Sequence, residues 1–285
     1  MTARQKTIRF LVGGFSVIII VAISSAIINQ WIYTWGSTPA EQQAVYPGDE
    51  LEAAPLLSWT HAITIHAPAE KVWPWVAQMG ENRGAFYSYT FIENMISPTH
   101  GYTNTNQILP QYQDPQPGTP IIAGMVNWKE IHPGEWILAQ DYTPDMNWTW
   151  LWYLQPLGEE TRMIIRMHIE VPPAMQGSSA MKFILNLGGF IMERDMLEGI
   201  RDRAQGVFEP LWTEYAEIGL WLIALVCGIL AAVKFVGQKE WTRPLAIGLA
   251  SVLILLWFTF GQPAVWLRVV VDFFLVMAVD HLGRK

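Results

Sequence analysis

Among the residues able to do acid–base or polar chemistry, Glu193 is the one whose position demands an explanation. The stretch Phe183 to Gln205 reads as one long helix. Stepping about 100° per residue from Gly189 collects Arg194, Asp195, Glu198, Arg201, Asp202 and Gln205 on a polar face. The opposite face holds Met192, Met196, Leu197, Ile200 and Ala204, and Glu193 falls near its centre. A carboxylate buried there needs a partner or must carry a proton. Three roles are open to it: a structural ion pair with a basic residue such as Arg83 or Arg203, a polar anchor inside a ligand pocket, or an acid–base group acting with Tyr87 or Tyr89.

The rest of the chain offers little other chemistry. There is no Gly-rich phosphate loop, no paired histidine ligand spacing and no Gly-x-Ser-x-Gly turn. The histidines, His61, His66, His100, His132, His168 and His281, are scattered. The single cysteine, Cys227, lies in an apolar run, which excludes an intramolecular disulfide and a cysteine-cluster metal site. No catalytic motif, metal site or cofactor is therefore expected. Asn147-Trp148-Thr149 fits a glycosylation sequon but falls in an expected strand.

The elements that must position Glu193 follow from periodicity and punctuation. Trp59 to His66 alternates in part and reads as a strand, followed by Pro68 and Glu70 at the start of a helix that places Val72, Trp75, Val76 and Met79 on one face. A second helix is expected over Ala85 to Ile96, with Phe86, Tyr89, Ile92 and Met95 at helical spacing. Strands are expected over Trp128 to Glu130 and Glu135 to Ala139, around His132-Pro133-Gly134, and over Asn147 to Leu154, turning at Gly158. Thr161 to Val171 alternates cleanly, with Met163, Ile165, Met167, Ile169 and Val171 on one face and Arg162, Arg166, His168 and Glu170 on the other. Strand, two helices, several antiparallel strands and a long helix make an α+β pattern.

Charge places this domain relative to a membrane. Between Thr34 and Glu217 there are 9 Lys+Arg and 22 Asp+Glu, a net of -13, and the remainder carries 9 against 3, a net of +6. The basic residues flank long apolar runs: Arg4, Lys6 and Arg9 before Leu11–Ile32, Lys234, Lys239 and Arg243 between two others, Arg284 and Lys285 at the end. Four transmembrane helices are expected, Leu11 to Ile32, Ile218 to Val233, Leu245 to Phe260 and Val265 to Val279, the last three short of the ~20 residues a span needs. The first is read as an uncleaved anchor rather than a signal peptide, because it is long and its outer edge carries Trp31, Tyr33 and Trp35. Positive ends belong in the cytoplasm, so both termini are expected inside a multi-pass cytoplasmic-membrane protein, with the acidic domain outside. Arg268 and Asp272, at i and i+4 in the last span, are expected to pair along one helix face, with a proton or ion path as the alternative that an intramembrane charge raises. The organisation is then a tail and anchor over 1–35, an exposed, extended linker over 36–56, the domain over 57–210, and three spans over 211–285. An acidic domain disfavours nucleic acid and tight docking on anionic lipid headgroups.

As a set, these residues resemble the START-like, birch-allergen-like superfamily, also labelled SRPBCC or polyketide cyclase/dehydrase-type proteins. Ala67-Pro68-Ala69-Glu70-Lys71-Val72-Trp73-Pro74-Trp75 is similar to the first strand-to-helix junction of many members. Gln78-Met79-Gly80, Arg83-Gly84-Ala85-Phe86-Tyr87-Ser88-Tyr89 and Phe190-Ile191-Met192-Glu193-Arg194 resemble a membrane-linked bacterial subgroup, with Ala85 standing where that subgroup tends to have a second glycine. The resemblance implies a helix-grip domain, a curved antiparallel sheet around the long C-terminal helix, with an apolar cavity between them. Candidate liners are Phe86, Tyr89, Trp136, Trp150, Trp152, Met163, Ile165, Met167, Met192, Met196 and Ile200, with Arg83, Glu193 or a tyrosine hydroxyl such as that of Tyr87 orienting a polar end. The expected function is binding of a hydrophobic or amphipathic, lipid-like small molecule. The alternatives are a non-catalytic membrane sensor or assembly protein, whose protein partner the sequence does not name, and a cyclase- or hydrolase-type enzyme on the same pocket.

Overall fold

Alternating strands and punctuated helices assemble, in a computed structural model that describes residues 2–52, 55–97, 99–122, 124–141, 147–170 and 179–283, into two units. One is Gln30–Leu211; the other combines Met1–Asn29 with Trp212–Lys285.

The first unit is built on a six-stranded antiparallel sheet: β1 (Leu57–Ile65), β2 (Pro120–Ile122), β3 (Val126–His132), β4 (Trp136–Asp141), β5 (Asn147–Leu157) and β6 (Glu160–Glu170), in the order β1-β6-β5-β4-β3-β2. The clean alternation of β6 makes it the template. It pairs β1 on one edge and β5 on the other, so Trp59, Met167 and Trp150 form one row across three strands, and His61, Ile165 and Trp152 the next. These rows face the long helix α5 (Ser179–Ala204), which packs against β1 and against α3 (Ala69–Ala77) in a helix-grip-like arrangement. Val171, expected to end the β6 face, lies outside the described residues.

Two local expectations are corrected. The helix expected over Ala85 to Ile96 begins only at Thr90, as α4 (Thr90–Ile96). Ala85 and Tyr87 take φ of 55° and 60°, and Asn82 takes 57°. A left-handed residue every second position cannot continue a right-handed helix. The backbone gains instead a tight loop in which the Gly80 and Ala85 amides each bond the other's carbonyl, at 3.1 and 3.0 Å. Met95, placed on the apolar face by the longer helix, is exposed.

The stretch expected to be an extended linker is folded onto the sheet's outer face. Thr38 caps α2 (Pro39–Gln43) in a capping box with Glu41. Arg162 of β6 then grips the Glu41 carboxylate with two nitrogens, at 2.7 and 2.9 Å. Tyr46 and Leu51 cover Leu138, Leu151 and Ile164, the apolar residues that alternation leaves on that side. The chain can turn into this path because Gly36 adopts φ +71°, and a Cβ there would sit 1.9 Å from the Ala62 carbonyl oxygen.

The second unit contains residues 3–29 of α1 (Ala3–Thr34), with α6 (Thr213–Gly237), α7 (Thr242–Gly261) and α8 (Val265–His281). Among the described residues, three helices, α1, α6 and α7, are long and apolar enough to cross a membrane. The fourth expected span forms a helix of only 17 residues, short of the ~20 that a hydrocarbon core requires. Ala224, Cys227, Phe258, Leu275 and Val279 make the packed centre of α6, α7 and α8.

Candidate functional site

The register explains how three donors reach one carboxylate. Trp59 and Trp150 sit on strands separated by β6, roughly 9.5 Å apart at ~4.8 Å per strand, with Met167 between them. Above this row α5 brings Glu193, whose side chain spans the gap. Trp59 Nε1 donates to Oε2 at 2.7 Å and Trp150 Nε1 to Oε1 at 2.8 Å. His61, two residues along β1 on the same face, places Nδ1 against Oε2. Glu193 is 2% exposed and the His61 side chain is fully enclosed. The helix can come this close because residue 189, one turn earlier, is glycine: a Cβ there would lie 2.9 Å from the Trp59 ring.

The other imidazole nitrogen settles a proton. His61 Nε2 lies 2.7 Å from the Ile32 carbonyl oxygen, which can only accept, so Nε2 carries hydrogen. Ile32 belongs to the last turn of α1, where carbonyls have no partner within the helix. Its carbonyl thus gains a donor, and the negative end of the helix dipole faces the imidazole. The Nδ1–Oε2 contact holds one further proton. Wherever that proton sits, the histidine–glutamate pair is neutral as a whole, which suits its burial. Phe190 closes the cluster, 5.8 Å from the His61 ring centre and 5.0 Å from that of Trp31.

Both carboxyl oxygens are engaged, and a general acid or base needs a reacting proton within hydrogen-bond reach. Tyr87, named as a possible co-catalyst, donates its hydroxyl to the Trp75 carbonyl at 2.9 Å. Burial raises its phenol above the ordinary value, against weaker opposing effects of Gln78 and nearby arginines. Among the described residues, no group of three His, Cys, Asp or Glu side chains is placed to hold a metal.

The structure gathers much of the candidate list but not all of it. Phe86, Tyr87, Trp150, Trp152, Met163, Ile165, Met167, Met196 and Ile200 share one buried core. Trp150 is its hub, 4.2 Å from Trp152 and 5.5 Å from Phe86 by ring centres. Trp136 is on the wrong side: it faces outward, stacked on His132 at 4.0 Å, because β4 turns Ile137 and Ala139 inward. Tyr89 is buried at the start of α4 and packs on Phe91. Met192 is half-buried, and its carbonyl accepts the Ser88 hydroxyl at 2.9 Å. Arg83 is spent elsewhere, donating to the Ala77 and Tyr112 carbonyls beside a surface concavity of 230 Å³ lined by Glu81, Asn82, Thr119 and Pro120.

Neither arginine expected to pair with Glu193 does so. Arg203 donates to the Thr105 and Gly199 carbonyls and lies over the Tyr87 ring. The partner is His61, together with the indoles of Trp59 and Trp150. A signal was available: Trp59, His61, Ile63 and Ile65 share one strand face, so a histidine on that face must meet something polar inside.

No family model matches the chain, and no curated protein matches it. Solved structures give likenesses to part of it. A protein from Mesorhizobium loti is 13% identical with a TM-score of 0.33, the match covering 54% of this chain and 100% of that one. The Zhui aromatase/cyclase from a Streptomyces species is 16% identical at a TM-score of 0.30, covering 52% and 93%. A Thermus thermophilus protein is 13% identical at 0.29, covering 53% and 98%. These are likenesses only, and no activity passes from them to this chain.

Proposed function

We propose that residues 57–210 form a head that binds a hydrophobic or amphipathic, lipid-like small molecule between the sheet and α5. Residues 1–35 anchor it, residues 36–56 connect it, and residues 211–285 complete four spans, the shorter α8 included. One observation carries the reading: the inner surface is built from methionine and aromatic side chains, Met163, Met167, Met196, Trp150, Trp152 and Phe86, around the buried Glu193 cluster. Unbranched thioethers re-pack at low cost, which suits an interior that yields to varied apolar shapes. These side chains are packed together, so binding is coupled to their opening, and apparent affinity falls by the fraction of molecules that are open. Burial at ~25 cal/mol per Å² supplies the driving force.

The extracytoplasmic placement is supported by charge and by the ends of the apolar helices. Arg9 donates to the Phe235, Gln238 and Lys239 carbonyls. Lys234 and Gln238 donate to the Val279 and Leu282 carbonyls. The basic N-terminal segment, the α6–α7 loop and the end of α8 therefore share one side, as the positive-inside rule asks.

Titration of the full chain with a brominated fatty acid tests the binding reading. Bromine quenches only indoles that it touches. Saturable quenching that weakens in Trp150→Phe supports it; quenching no greater than that of a soluble brominated salt counts against it.

A second reading, a non-catalytic sensor or assembly protein, is favoured by the bond from His61 to Ile32. That contact ties the end of the first long helix to the polar centre of the head. It predicts a protein partner on crosslinking and no small ligand.

A further inference from the structure

The spacing of Arg268 and Asp272 suits pairing along one face of α8, yet the structure sends the arginine elsewhere. Its Nη2 lies 3.1 Å from Glu217 Oε2 on α6, and its Nε donates to the Pro263 carbonyl at 2.9 Å. Its guanidinium carbon lies 5.4 Å from the Phe258 ring centre on α7. A long helical side chain leans toward its N-terminus, which carries Arg268 away from the residue four positions on. Asp272 is left 3% exposed, with neither carboxyl oxygen hydrogen-bonded.

Among the described residues of α1, α6, α7 and α8, no other basic group is placed to replace the arginine. On α6 the titratable or charged residues are Glu214, Tyr215, Glu217, Cys227 and Lys234, and Lys234 is directed at the Val279 carbonyl, 3.4 Å away. On α7 there is only Arg243, at the first turn, and on α8 there remain Asp280 and His281, two turns beyond Asp272. In residues 3–29 of α1 they are Arg4, Lys6 and Arg9, and Arg9 is engaged by the α6–α7 loop. The bundle centre is tight as well: a Cβ on Gly228 would lie 3.1 Å from Ser251 Cβ. A charged carboxylate that makes no hydrogen bond in such surroundings is disfavoured, and the smallest species that removes the charge is a proton.

We propose that Asp272 is a proton-binding site inside the α6–α7–α8 bundle, held as the neutral acid in the closed packing and ionised only when the bundle opens to water. The membrane segments then carry a titratable group of their own and are more than a passive anchor.

Infrared spectroscopy of the full chain in lipid nanodiscs at neutral pH reads this directly. The wild-type minus Asp272→Asn difference is expected to show a protonated-carboxyl C=O stretch lost in the variant, moved but retained in Asp272→Glu. Loss of an ionised-carboxylate band instead overturns the proposal, as does a protonated band that disappears when sodium replaces potassium in the buffer, which indicates a metal cation in the proton's place. If the Asn variant fails to insert, the wild type decides. Its carboxylic acid O–H adds across a C=N bond of dicyclohexylcarbodiimide, and the adduct rearranges to an N-acylurea that keeps every atom of the reagent. Peptide mapping should find Asp272 modified in the folded protein at neutral pH, with the yield falling as pH rises. A yield on Asp272 no higher than on the exposed carboxylates of the head overturns the assignment.

Discussion

Replacing Glu193 by glutamine keeps the shape of the side chain and changes only its hydrogen-bonding capacity, which makes it the sharpest probe of the buried cluster. Three nitrogens converge on the carboxylate, from Trp59, Trp150 and His61. The amide has one oxygen and one NH2 group. If the NH2 replaces Oε1 it faces the Trp150 N–H; if it replaces Oε2 it faces the Trp59 N–H. Either way one buried indole donor is orphaned, at about 1–3 kcal/mol, and a charge-assisted bond worth about 1.5–3 kcal/mol is lost. The sum, about 2.5–6 kcal/mol, brackets the ~3–5 kcal/mol cost of removing one member of a buried ion pair. At ~2–4 °C per kcal/mol for a domain of this size, the thermal midpoint should fall by on the order of 10 °C. The assay is a fluorescence-detected melt of the full chain in detergent. His61→Gln should destabilise by a similar amount. The double variant should cost ~2 kcal/mol or more less than the sum of the singles, because the two side chains share one proton contact. Strict additivity, or a Glu193→Gln shift of no more than ~2 °C, would show that the carboxylate is not held as described.

The remaining predictions concern packing, pH and placement. Gly189→Ala puts a methyl group 2.9 Å from the Trp59 ring, and should cost about 1–3 kcal/mol by overpacking, read by the same melt. Stability of the head should fall in two steps on acidification. The His168 imidazole is held below its ordinary value by burial, against the opposing pull of Asp49, and the Glu41 carboxyl is held low by its bond from Arg162. In both cases the folded state binds fewer protons than the unfolded one. Their stabilisation is present above ~6.5 and ~4.3, and is lost as pH falls through the lower folded values. His168→Gln should flatten the first limb and Glu41→Gln the second in a series of melts against pH. Val45→Cys, at a position 89% exposed, should react with an impermeant maleimide on intact cells, and Lys239→Cys only after permeabilisation; the reverse pattern would put the head in the cytosol.

How much of this was legible in the sequence depended on whether local pattern or distant packing made the decision. The alternation of Met163, Ile165, Met167 and Ile169 was enough to define β6, and one template strand orients its neighbours. The apolar stripe of the long helix was equally plain, and so was the misfit of Glu193 within it. The partner of Glu193 was not, because His61 lies far away in the chain and only the β1–β6–β5 register aligns it with Trp59 and Trp150. Helical spacing at Phe86, Tyr89 and Ile92 was misleading. Left-handed conformations at Ala85 and Tyr87 come from tertiary contacts and leave no mark on non-glycine residues. Polar composition between Gly36 and Glu52 concealed a folded segment, since Arg162, which holds the Glu41 carboxylate, and Arg166, which donates to the Ala44 carbonyl, belong to a strand met much later. Arg268 and Asp272 had the spacing of a pair, but Glu217 on another helix takes the arginine.

The most direct test of the central claim is native mass spectrometry of the full chain released from its own membranes, with organic extraction of whatever it carries. An apolar or amphipathic species bound in fixed stoichiometry, retained by the wild type and lost in a variant that fills the interior between β5, β6 and α5, is the predicted result. A protein that flies only as the bare chain, after gentle release and from several lipid backgrounds, would contradict it.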